Sequence, residues 1–148
     1  MVRLHVVASD DGEAAQALKL KVRDACLGEA RGLLADCDSA DAAWARINDR
    51  LSDLARAASA EARRQGYGGA VTAETGVFPF PERQYGGVRV PAGRYRALRV
   101  VIGEGRGENW WCVLYPSLCL PEADPEGEPP RLYSALWNWL KGLFGGGA

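Results

Sequence analysis

The chain has 148 residues, a net charge of −1, 47% hydrophobic residues and 25% charged residues. That is the size of one domain and the composition of an ordinary globular chain, which excludes a disordered or fibrous protein. A near-neutral chain lacks the basic excess that displaces counterions from phosphates, so no nucleic-acid partner is expected, and no apolar run approaches the ~20 residues that cross a bilayer.

Residues 3–9 read as a strand, with Leu4, Val6 and Val7 apolar. Asp10 followed three residues later by Glu13 resembles a capping box, so a helix is expected over 14–35. Its apolar stripe runs through Leu18, Val22, Cys26, Ala30 and Leu33, weakened by Gly28 and Gly32. The stretch Asp38-Ser39-Ala40-Asp41 is expected to cap a second helix over 40–65. There Trp44, Ile47, Leu51, Leu54 and Ala58 form one stripe opposite a solvated charged face. The glycines of 66–69 end it.

From residue 70 onward the texture is that of strands. Residues 70–78 and 88–90 each predict one, and Pro79 and Pro81 confine the segment between them to an edge or a loop. Residues 94–102 alternate most clearly, with Tyr95, Ala97, Arg99 and Val101 on one face and Arg96, Leu98, Val100 and Ile102 on the other. The glycines of 103–107 precede a Trp-rich strand over 110–115 rather than a helix, which favours a hairpin turn over a phosphate-binding loop. Residues 121–130 read as an acidic, proline-rich linker. Residues 131–144 carry Leu132, Leu136, Leu140 and Leu143 at helical spacing. At ~21 Å such a helix is too short to span a bilayer, and it could touch a membrane surface, a partner groove or its own domain. The whole order predicts an α+β fold, with two helices on one face of a mainly antiparallel sheet in a domain of residues 1–120.

Chemistry is sparse. Cys26, Cys37, Cys112 and Cys119 allow three disulfide pairings, among which sequence does not choose. One straight helix carrying both Cys26 and Cys37 would hold them ~16 Å apart, beyond bridging distance, unless it breaks near Gly32. With no CxxC pair and His5 as the single histidine, neither a metal site nor a cofactor is expected. The one nucleophile–base pair to weigh is Cys112 with His5, a thiol hydrolase acting on envelope material. Both residues sit inside strands, a poor setting for a reactive thiolate, so no catalytic residue is assigned. The opening residues have neither the basic start nor the apolar stretch of a signal peptide. The expectation is a cytosolic protein or a sequence without its export segment.

A family resemblance sharpens this reading. Tyr85-Gly86, then residues 91–119, including Asn109-Trp110-Trp111-Cys112 and Cys119, resemble the signature of the stage II sporulation protein R family. Residues 3–8, Asp11 and 16–24 resemble that family's opening, and the likeness runs from about Arg3 to Leu120. The chain departs from the pattern at Ser9-Asp10 and at Ala15. The resemblance implies a secreted, non-enzymatic signal acting between forespore and mother-cell membranes. It would activate a membrane-embedded aspartic protease of the mother cell, which processes the sigma-E precursor. It also implies a disulfide between Cys112 and Cys119 that braces the turn at Pro116. The expected partner-binding residues are Tyr85, Arg99, Glu104, Arg106, Asn109, Trp110 and Trp111, of which only one tryptophan should be available. A membrane-surface scaffold anchored through 131–144 is the remaining rival.

Overall fold

A computed structural model describes residues 1–85 and 88–115 of the chain. Along it run β1 (Val2–Val7), α1 (Glu13–Leu34), α2 (Ala40–Asp49), α3 (Leu51–Arg64), β2 (Val71–Phe80), β3 (Arg83–Tyr85), β4 (Val88–Val90), β5 (Gly93–Ile102) and β6 (Asn109–Tyr115). The linker expected over 121–130 and the helix expected over 131–144 lie outside the described residues.

The fold is α+β, with a mixed sheet in the order β2-β5-β1-β6 and a separate β3-β4 ladder. β1 runs parallel to β5, placing Leu4 beside Leu98, and antiparallel to β6, placing Leu4 beside Cys112. β2 pairs antiparallel with β5 along its length and forms an edge, which is where Pro79 can be tolerated. The expectation of a 103–107 hairpin fails here. β1 lies between β5 and β6, so the connecting segment crosses the end of β1 instead of folding one strand onto the other. Its backbone bonds go accordingly to Ala8 and Ser9: Gly107 N–H donates to the Ala8 carbonyl at 2.9 Å and Arg106 N–H to the Ser9 carbonyl at 3.3 Å.

One sheet face packs against the helices. Val2, Leu4, Val6, Leu98, Val100, Ile102, Cys112 and Leu114 meet Val22, Cys26, Ala30, Ile47, Leu54 and Ala58 in a single buried cluster. Each fully buried leucine or isoleucine contributes about 1.5–3 kcal/mol relative to exposure. The expected second helix is in fact two, parted at Arg50, whose φ of −112° and ψ of 21° leave the helical region. No glycine or proline marks this break. It lets α2 pack on α1 and β1 while α3 packs on α1 and β2. Asn48 beside it donates to the Trp44 carbonyl and accepts from the Thr75 hydroxyl of β2.

Helix ends follow local chemistry with one exception. Ser39 caps α2, its hydroxyl accepting from Ala42 N–H at 3.0 Å. Gly66, at φ 88°, closes α3, and Tyr67 N–H bonds back to the Ala62 carbonyl. The capping box expected at Asp10 and Glu13 does not form. α1 starts at Glu13 after Gly12, and the Asp10 carboxylate instead accepts the Gly12 N–H at 2.7 Å. The α1 stripe is also shifted from the expected one. Lys19, Val22, Cys26, Leu27, Ala30 and Leu34 are buried, with Leu18 and Leu33 packed at the margin.

Candidate partner-binding surface

The expected partner-binding residues do not form one patch. Strand alternation and the crossing segment distribute them over three places, and Tyr85 lies apart on β3, in register with Val88.

The first place is the crossing segment itself. Gly103 and Gly105 take φ of 61° and 63°, turns that side-chain-bearing residues rarely adopt, and Gly105 N–H bonds to the Ile102 carbonyl. Gly107 passes so close to the chain at Asp10 that a Cβ there would collide with the Asp10 carbonyl. At the exposed tip Glu104 and Arg106 pair at 2.6 Å. Such a solvent-facing pair adds little stability and leaves both charges available to a partner. Asn109 opens β6 opposite Val7.

The second place is the sheet face away from the helices, where β1 sets His5 between Arg99 of β5 and Trp111 of β6. The His5 ring stacks on Trp111 at a centroid distance of 4.9 Å and lies 5.5 and 5.2 Å from Phe78 and Phe80. The fully buried Arg3 guanidinium lies over the Phe80 and Tyr95 rings, at 4.2 and 4.8 Å from their centroids. Cation–π attraction makes this an acceptable position for a buried charge. Arg99, half-exposed, reaches Glu74 of β2 at 3.3 Å. Burial, with Arg99 and Arg3 nearby, lowers the His5 pKa to about 4, and neither ring nitrogen is hydrogen-bonded. His5 is therefore a neutral ring in an aromatic cluster at neutral pH.

The third place is on the helix side of β6. Trp110 packs at the margin of the core beneath α1, with the Arg23 guanidinium 4.4 Å from its ring centroid. Adjacent residues of a strand point to opposite faces, and the two tryptophans do so. Both are half-buried, so each retains some accessible surface.

The same alternation overturns the Cys112–His5 dyad. His5 stands opposite Trp111 while Cys112 stands opposite Leu4, so thiol and imidazole lie on opposite faces of the sheet. Cys112 is buried and disulfide-bonded, whereas Cys26 and Cys37 carry free thiols. Burial pushes the Cys26 thiol up to about 12. Cys119 lies outside the described residues, as does the turn at Pro116.

Several residues that hold these places are not among the expected partner-binding residues. Asp11 accepts the Glu108 N–H at 2.8 Å, and Lys19 is buried against the end of the crossing segment. Phe78, Phe80 and Tyr95 build the ring around His5. Among the described residues, no group of three or more His, Cys, Asp or Glu side chains is placed to hold a metal ion, and no helix is long and apolar enough to cross a membrane.

Residues 1–124 match the family model for stage II sporulation protein R. A curated relative, the stage II sporulation protein R of Bacillus subtilis (strain 168), is 33% identical over 118 residues, covering 80% of this chain and 53% of that protein. The chain thus spans about half the length of the curated relative it matches. No solved structure matches it.

Proposed function

This chain belongs to the stage II sporulation protein R family, and on that premise we propose that it is an extracytoplasmic sporulation signal. In this reading it acts in the space between the forespore and mother-cell membranes and activates a membrane-embedded aspartic protease. That protease then processes the precursor of sigma factor E. The protein is the ligand and the protease performs the chemistry.

What supports the reading is the match over residues 1–124, which takes in every described element of the fold. The side chains are consistent with recognition. The crossing segment offers an acidic and a basic group at its tip, and Trp110 with Arg23 offers the residue types that dominate binding energy at interfaces. A bridge between Cys112 and Cys119 would brace the end of β6 and suits an oxidising compartment. A peripheral contact of residues 131–144 with the membrane would hold the ligand near its receptor.

Cross-linking tests the contact. A photoreactive side chain replacing Arg106 should form an adduct with the protease in membranes, and one replacing the exposed Glu29, towards the other end of α1, should not. Equal adducts from both positions, or none from either, would contradict the reading.

A further inference from the structure

We infer that Lys19 is a positioning residue that holds the crossing segment, residues 103–108, in the shape a partner reads. The inference rests on the proposed signalling role for its activity arm, and on geometry alone for its structural arm.

Lys19 is only 6% exposed and occupies the buried stripe of α1, together with Val22, Cys26, Ala30 and Leu34. An ammonium there is costly unless it is paired, and an apolar side chain of similar length would pack the stripe as well or better. Packing therefore does not account for a lysine. Its bonds do. Nζ donates to Gln16 Oε1 at 2.6 Å and to the Glu108 carbonyl at 3.3 Å. The Gln16 amide in turn donates to the Asp10 carbonyl at 3.0 Å, and Glu108 N–H donates to the Asp11 carboxylate at 2.8 Å. The Glu108 carbonyl also receives Ala8 N–H at 3.4 Å.

Both sides of the Glu108 residue are thus fixed, one by Lys19 of α1 and the other by Asp11, two residues before that helix. The rest of the segment is tied through Arg106 and Gly107 to Ser9 and Ala8, just past the end of β1. The tie also closes one wall of a cleft of about 290 Å³ lined by Gln16, Lys19, Leu20, Asn109 and Trp110. The first turns of α1 and the start of β6, far apart in the chain, meet there. A buried polar contact that fixes registry at the expense of apolar packing is the expected device for holding one loop conformation.

The test uses the full chain with Lys19→Met, Lys19→Arg and Asp11→Ala. Amide hydrogen exchange is followed in residues 104–109 and, as the internal reference, in β5. Activation is read as the concentration giving half-maximal cleavage of the precursor by protease-bearing membranes. Lys19→Met should speed exchange in 104–109, leave β5 unchanged, and raise the half-activating concentration on the order of tenfold, the scale of one lost hydrogen bond to a charged group. Lys19→Arg, which keeps the charge and the donors, should restore most of both. Asp11→Ala, at an exposed site, should reproduce the local exchange and decides the matter if Lys19→Met does not fold.

Wild-type exchange and activation in Lys19→Met would overturn the inference. So would a loss that appears equally in β5, because that is general destabilisation. If the wild-type protein activates nothing, the signalling reading fails, while the exchange data still decide what Lys19 does.

Discussion

Trp110 and Trp111 are neighbours in the chain but belong to different halves of the molecule: Arg23 of α1 lies 4.4 Å from the ring centroid of the first, and the His5 ring stacks at 4.9 Å on the second. One tryptophan reports on the helix side of β6 and the other on the aromatic cluster of the opposite face. A partner that used the Trp-Trp pair would meet the two rings on opposite faces of the sheet.

That separation predicts two independent couplings. In double-mutant cycles by urea denaturation, His5→Ala and Trp111→Ala should couple by about 0.5–1.5 kcal/mol, the range of a packed ring pair. Arg23→Met and Trp110→Ala should couple by about 0.5–1 kcal/mol. His5 with Trp110 should show no coupling beyond ~0.3 kcal/mol, since the sheet separates them. Strong coupling of His5 to Trp110 would mean that the β6 register is wrong.

A second prediction concerns pH. His5 has a folded pKa of about 4, below the ordinary 6.5, chiefly through burial and then through Arg99 and Arg3. The unfolded chain therefore binds the proton first. Stability from this group is complete above pH 6.5, falls as the pH drops below it, and levels off below about 4. The loss should be on the order of 3 kcal/mol. His5→Phe, which suits the aromatic cluster, should flatten that part of the stability profile. An unchanged slope between pH 6.5 and 4 in the variant would assign the effect to other groups.

The alternation of residues 94–102 made β5 legible from sequence alone, and alternation also assigned the two tryptophans to opposite faces. The break at Arg50 was not legible, because it is imposed by packing on two different elements and not by a helix-breaking residue. Nor was the crossing over β1. Gly103 to Gly107 has the composition of a hairpin turn, and only the long-range pairing of β1 between β5 and β6 distinguishes the two. For Lys19 a signal did exist: it precedes Val22 by three residues and Cys26 by seven, on the register of the buried stripe. Leu18, the apolar neighbour, packs at the margin of the same core and masks that signal.

Two glycines should respond in opposite directions. Gly28 is exposed in α1 with nothing within 4 Å of a Cβ, so Gly28→Ala should stabilise by about 0.5–1 kcal/mol. At Gly107 the same substitution meets the Asp10 backbone, which cannot swing aside, and should cost about 1–3 kcal/mol. Thermal or urea unfolding of the two variants checks both signs.

Thiol labelling separates the free cysteines. Cys26 is buried, with its thiol raised to about 12, and should resist iodoacetamide at neutral pH in the folded state. Cys37 is half-buried and should label faster. Peptide mass spectrometry after timed alkylation reads this directly, and early labelling of Cys26 would place it outside the core.

The proposed role makes this protein the signal and its membrane partner the enzyme. The direct measurement is precursor cleavage in membranes carrying the aspartic protease, with the purified, correctly folded protein added from the extracytoplasmic side. The account predicts cleavage that rises with the added protein and saturates. Cleavage that is unaffected by the protein at any concentration would contradict it.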